Sequence, residues 1–82
     1  MKKESKRYVT TVIQHSDHFL ANLLGLKTIL GMSLADAKHI ARSKPGTEVH
    51  LNPYYEIKSH LSTEDLQILL DEYEIEVTII NQ

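Results

Sequence analysis

The sequence predicts a two-layer α+β domain with elements in the order β-α-α-β-α-β and three helices on one side of a mostly antiparallel sheet. Three observations carry this. A β-branched run, RYVTTVIQ over residues 7–14, lies near the start, and a second extended run, residues 75–80, lies near the end. Between them are stretches whose apolar residues recur at helical spacing. Finally, Ser33 and Ser62 stand where helix N-caps belong, and each is followed by acid in the first turn, Asp36 after Ser33 and Glu64 with Asp65 after Ser62.

Each element follows from local chemistry. In residues 7–14, strict alternation places Tyr8, Thr10 and Val12 on one face and Val9, Thr11 and Ile13 on the other. Both faces carry apolar groups, so this strand belongs in the interior of the sheet. Residues 15–18 read as a turn in which Ser16 or Asp17 caps the next helix. Over residues 19–30, Phe19, Leu20, Leu23, Leu24, Leu26, Ile29 and Leu30 form a wide apolar helical face. Gly25 inside that helix costs about 1 kcal/mol relative to alanine, which implies close backbone approach by a neighbour or a bend.

Gly31 ends this helix as a left-handed cap. Ser33 starts the next, whose buried stripe is Leu34, Ala37, Ile40 and Ala41, and Pro45-Gly46 stops it. The two helices form a tight hairpin around Gly31. Residues 47–51 alternate as a short strand, and Asn52-Pro53 reads as a turn. Residues 54–60 either pair back, giving a fourth strand, or lie as a loop. The third helix opens at Ser62 and packs through Leu66, Leu69, Leu70 and Tyr73, and the last strand turns Ile75, Val77 and Ile79 to one face.

The 82 residues make one domain, with a basic, flexible tail expected at residues 1–6 and the folded unit at 7–82. A chain this short buries only roughly 60% of its unfolded surface. It contains no cysteine, which removes disulfides and thiolate chemistry and fits a cytoplasmic location. No apolar run approaches the roughly 20 residues that span a bilayer. The net charge of −2 conceals a gradient from Lys2, Lys3, Lys6 and Arg7 to Glu64, Asp65, Asp71, Glu72, Glu74 and Glu76. The acidic end repels phosphate and argues against nucleic acid as a partner.

Residues 30–38, LGMSLADAK, and the ending Ser43-Lys44-Pro45 resemble the C-terminal domain of the bacterial ribosomal stalk protein. That family runs strand, helical hairpin, short strand, helix, strand, with a T-G-L-G-L-K-E-A-K segment at the hairpin. The serine-capped, acidic start of its third helix is similar to Ser62-Thr63-Glu64-Asp65 here, and its A-E-V-E-V strand is similar to Glu74-Ile75-Glu76-Val77. The resemblance spans residues 19–45 and 62–80. It implies the fold, and it implies a docking role for the hairpin, with Lys27 and Lys38 at positions where the family is basic. Leu24 and Ala35 stand where the family has lysine, and the segment between Pro45 and Ser62 is longer. The ClpS-type protease adaptors share this general topology, but their Asn-Asp-Asp run is replaced here by residues 14–18, QHSDH.

Little in the chain points to catalysis. His15-x-x-His18 has the spacing of two metal ligands but needs a third. Its simpler role is a pair of solvent-facing turn residues, and neither a metal nor a cofactor is expected. Ser33 and Ser62 are accounted for as caps, and neither a nucleophile elbow nor a phosphate loop occurs. Adjacent Tyr54 and Tyr55 cannot both face inward on a strand, so one is expected at the surface as a protein-binding contact. Met32 in the hairpin turn is a candidate for a second apolar partner contact, the other role open to it being a core gap-filler.

These readings combine into a small non-enzymatic interaction module. It is expected to be a cytoplasmic regulator or inhibitor that binds another protein, a phage-encoded antiholin-like lysis regulator being one example of the class. The partner-binding residues would be Lys27, Met32, Lys38, Tyr54 and Tyr55. The alternative is a translation-associated factor that mimics the stalk domain and contacts a GTPase or the ribosome. A final strand at a sheet edge would also permit a homodimer.

Overall fold

The computed structural model describes residues 6–82 and has the expected order: β1 (Arg7–Gln14), α1 (Phe19–Thr28), α2 (Leu34–Ala41), β2 (Glu48–Glu56), α3 (Thr63–Glu72) and β3 (Ile75–Asn81). The three strands form one antiparallel sheet ordered β2-β1-β3, so β1 is the interior strand. Of the expected tail, residues 1–5 lie outside the described residues. Lys6 is not part of a tail, because its backbone N–H and C=O both pair with Gln82 at 2.8 Å. No helix among the described residues is long and apolar enough to cross a membrane.

The alternation expected in β1 breaks at one position. The register against both neighbours shifts between Val9 and Thr11, so Thr10 is a β-bulge. An extra residue inverts the parity of the strand beyond it. Val9, Val12 and Gln14 consequently all face the helices and are buried, while Tyr8, Thr11 and Ile13 share the opposite, helix-free face. In β3 the simple alternation holds, and Ile75 and Val77 join the core.

Residues 47–51 and 54–60 are not separate elements. A single strand, β2, runs through Asn52-Pro53, whose peptide bond is cis. His50 pairs with Thr11 and Tyr55 with Val9, so residues 51–54 arch out of the ladder instead of turning the chain back. The sheet has three strands, not four.

The helices carry two further corrections. Leu20 and Leu24, placed in the apolar face of α1 by spacing alone, are 70% and 52% exposed, and Leu34 also faces solvent. The core side of α1 is Asn22, Gly25 and Leu26. The cap of α1 is His18, with no side-chain bond to the helix. Ser16 Oγ instead accepts from the His18 N–H at 3.4 Å. Ser33 and Ser62 do cap, accepting from the N–H of Asp36 at 3.2 Å and of Asp65 at 3.1 Å. Gly31 adopts φ +76° at the hairpin turn, and the adjacent Met32 N–H bonds to the Leu26 C=O at 3.2 Å.

Two buried polar side chains lock the hairpin to the sheet. Gln14, at the end of β1, accepts from Asn22 Nδ2 of α1 at 2.8 Å. Its own Nε2 donates to the Ala41 C=O of α2 at 3.1 Å and also reaches the Ser43 carbonyl. Asn22 Nδ2 further donates to the Ser16 C=O at 3.1 Å, and the Gln14 C=O accepts from the Gly46 N–H at 2.8 Å.

Gly25 supplies the close approach that its position implies. A Cβ there would sit 2.8 Å from Tyr73 Cβ and 3.0 Å from Ile75 Cδ1, where α3 turns into β3. Helix propensity alone makes Gly25→Ala stabilising by about 1 kcal/mol. Overpacking against Tyr73 and Ile75 opposes this with about 1–3 kcal/mol. The net prediction is a destabilised protein, read as a lower urea midpoint with an unchanged slope.

Candidate functional site

The arch in β2 opens a cleft between β2 and α2. Its strand side is residues 49–55 of β2, and its helix side is Asp36, His39 and Ile40 of α2. Met32, from the hairpin turn, also lines it, and the cavity measures about 340 Å³. Position in the fold explains the shape. Val49 and Leu51 still alternate toward the core, while Pro53 and Tyr54 are carried outward by the arch. The lining thus combines apolar Met32, Ile40, Val49 and Leu51 with titratable Asp36 and His39, while the His50 ring turns to the helix-free face.

Tyr55 braces this arrangement. It points inward from β2, and its hydroxyl donates to the Leu30 carbonyl at 2.9 Å, tying the strand to the hairpin turn. Burial pushes the phenol above the usual tyrosine range, and the negative charge of Asp36 adds in the same direction. Tyr54 takes the opposite orientation and is 50% exposed. On the sheet side, His50 Nδ1 lies 3.5 Å from Thr11 Oγ1, and its Nε2 lies 3.5 Å from Glu48 Oε1.

The structure brings three of the five sequence-nominated residues together, since Met32, Tyr54 and Tyr55 all line the cleft. Of the two roles open to it, Met32 takes the core-filling one and is not an exposed contact. It is 3% exposed and packs in the core, beneath the cleft. Lys27 and Lys38 lie elsewhere. Lys27 is exposed on the outward side of α1, the side that also carries Leu20 and Leu24. Lys38 lies in a shallow depression on α2 with Leu34, Ala35 and Arg42. Sequence reasoning missed Asp36 and His39 as cleft residues. The available signal was Asn52-Pro53 within an alternating run, which is compatible with a bulged strand as well as with a turn.

His15 and His18 each face a carboxylate at the start of β3. His15 Nε2 lies 2.9 Å from Glu76 Oε1, and His18 Nδ1 lies 3.6 Å from Glu74 Oε2. All four side chains are at least half exposed. No group of three or more residues able to hold a metal ion occurs among the described residues. No family model, curated protein or solved structure matches the chain.

The chemistry available in the cleft suits non-covalent binding: an apolar lining that can take a side chain, one exposed aromatic ring, and an imidazole and a carboxylate able to hydrogen-bond a ligand. Its rigidity depends on the Tyr55 brace. Tyr55→Phe leaves the Leu30 carbonyl without this donor and is expected to cost about 1 kcal/mol. The raised phenol pKa also gives a pH signature. The protonated form is favoured in the fold, so this contribution is complete below the ordinary tyrosine pKa and is lost as pH climbs through the raised value. Ultraviolet titration should find a late tyrosine ionisation, and that late step should vanish in Tyr55→Phe.

Proposed function

We propose that this chain is a non-enzymatic protein-binding module, a cytoplasmic regulator or inhibitor that docks on its partner through the α2–β2 cleft. The observation that carries this reading is the juxtaposition of exposed Tyr54 with an apolar cavity braced by Tyr55. An exposed tyrosine beside a preformed apolar pocket has the composition of a binding hot spot, because the ring supplies contact area at small entropic cost. The asymmetry between Tyr54 and Tyr55 divides the work, with one ring to meet the partner and one to hold the shape. A phage-encoded lysis regulator remains one member of the class.

A second reading rests on a separate observation. Leu20, Leu24 and Lys27 share the outward side of α1, and Leu34, Lys38 and Arg42 lie together on α2. An apolar and basic surface on the hairpin supports a stalk-mimicking factor that contacts an acidic surface of a GTPase or of the ribosome. Capture of partners from the native host by the immobilised protein and its variants separates the two. If the cleft docks the partner, Tyr54→Ala should weaken capture by tenfold or more, as expected for a loss of about 2 kcal/mol, while Lys27→Glu with Lys38→Glu retains it. The stalk-mimic reading predicts the reverse pattern. All three side chains lie at or near the surface, so the fold should survive in every variant, and circular dichroism checks this directly.

A further inference from the structure

We infer that the free edge of β3 accepts a basic, extended segment of another protein as a fourth strand, independently of the hairpin and the cleft. The argument begins with backbone groups. Lys6 and Gln82 form a doubly bonded pair, and the His15 N–H bonds to the Glu74 C=O at 2.8 Å. Alternation along the antiparallel ladder then points the N–H and C=O groups of Glu76, Thr78 and Ile80 at β1. Those of Ile75, Val77, Ile79 and Asn81 point away from the sheet, where no strand follows among the described residues. One side-chain bond agrees with this assignment: Gln67 Nε2 of α3 donates to the Val77 C=O at 2.6 Å.

The two edges of this sheet are not equivalent. The β2 edge contains Pro53 and an arch that interrupts the ladder, and both discourage pairing. The β3 edge runs unbroken for seven residues without proline or lysine, and the Gln67 bond covers only one of its carbonyls. Because it is long, regular and lightly protected, β3 is the edge suited to strand addition.

Charge identifies the occupant. Gln67 reaches the edge, and Glu64 and Asp71 lie three residues before it and four after it, on the same side of α3. Ile68, 60% exposed, sits between these two acids on the helix surface. Glu76 and Thr78 of β3 border the same edge on the helix-free face of the sheet. Arg7, on the neighbouring strand, is engaged with the Thr63 hydroxyl at 3.2 Å and the Ser59 carbonyl at 2.9 Å. A strand added here meets Glu64 and Asp71 of α3 on one side and, on the other, Glu76, which His15 contacts at 2.9 Å, and this excess of carboxylates selects lysine and arginine in the incoming segment. A second copy of this chain is disfavoured, because a two-fold pairing of β3 with itself brings one acidic α3 against another.

The probe is a synthetic peptide of about eight residues, the usual strand length, alternating lysine with valine. Amide exchange followed by NMR on the full chain reads its position. The expected result is new protection at the outward amides of Val77, Ile79 and Asn81, with Thr78 and Ile80 unchanged because they already bond to β1. Affinity should fall at least about tenfold in Glu64→Lys with Asp71→Lys, two exposed positions. It should also fall with added salt. Three results overturn the proposal: no protection at the outward amides, equal protection by the matching glutamate–valine peptide, or protection that rises with protein concentration in the absence of peptide, which assigns the edge to self-association.

Discussion

The contact between the Gln14 and Asn22 side-chain amides joins three elements that a core of this size cannot align by apolar packing alone. Gln14 ends the central strand, Asn22 sits on the inner side of α1, and the Gln14 amide nitrogen closes onto the carbonyls of Ala41, the last residue of α2, and of Ser43 just beyond it. Both side chains are essentially inaccessible to water, so each hydrogen bond forms in a setting where leaving it unmade costs about 1–3 kcal/mol. A domain of this length has roughly 4–12 kcal/mol of total stability, so one broken member is a large fraction of the whole. The apolar contacts around it specify that the hairpin packs on the sheet. The amide pair specifies where, since apolar surfaces slide at small cost and hydrogen bonds do not.

That fixed placement shapes the two surfaces proposed for binding. With the end of α2 held against Gln14, the start of α2 overhangs β2, and the arch at residues 51–54 leaves space between them. Tyr55 sets the same distance from the other end by reaching the hairpin turn. On the opposite flank, Gly25 lets α1 approach the junction of α3 with β3. This leaves α3 close enough to the sheet edge for Gln67 to reach a strand carbonyl. Cleft and edge thus lie on opposite sides of the Gln14–Asn22 joint, and neither includes that amide pair.

Where local chemistry decides the outcome, the sequence was informative. Ser33 and Ser62 cap because a hydroxyl followed by a helical turn has one dominant role, and Gly25 marks a close approach because no other residue fits beneath Tyr73. The β-branched character of residues 7–14 identified the central strand. Tertiary context decided the rest. A single bulged residue at Thr10 reversed the faces of β1, and nothing in a threonine distinguishes bulge from ladder. Leu20, Leu24 and Leu34 have helical spacing compatible with burial, yet α1 buries Asn22 and Gly25 instead, because Gln14 supplies an amide partner for the one and Tyr73 a close contact for the other. Of the nominated site, Tyr54, Tyr55 and Met32 converge because they flank the arch, whereas Lys27 and Lys38 were nominated by likeness to a family and occupy a separate surface.

The most direct test of this account is hydrogen exchange at the side-chain amides of Gln14 and Asn22, resolved by NMR in the intact protein. If these groups form the buried joint between sheet and hairpin, their NH₂ protons exchange far more slowly than those of Asn81 and Gln82, which are open to water. Exchange at the rate of those exposed amides would mean that water reaches the joint, and the hairpin would then owe its position to something other than this contact.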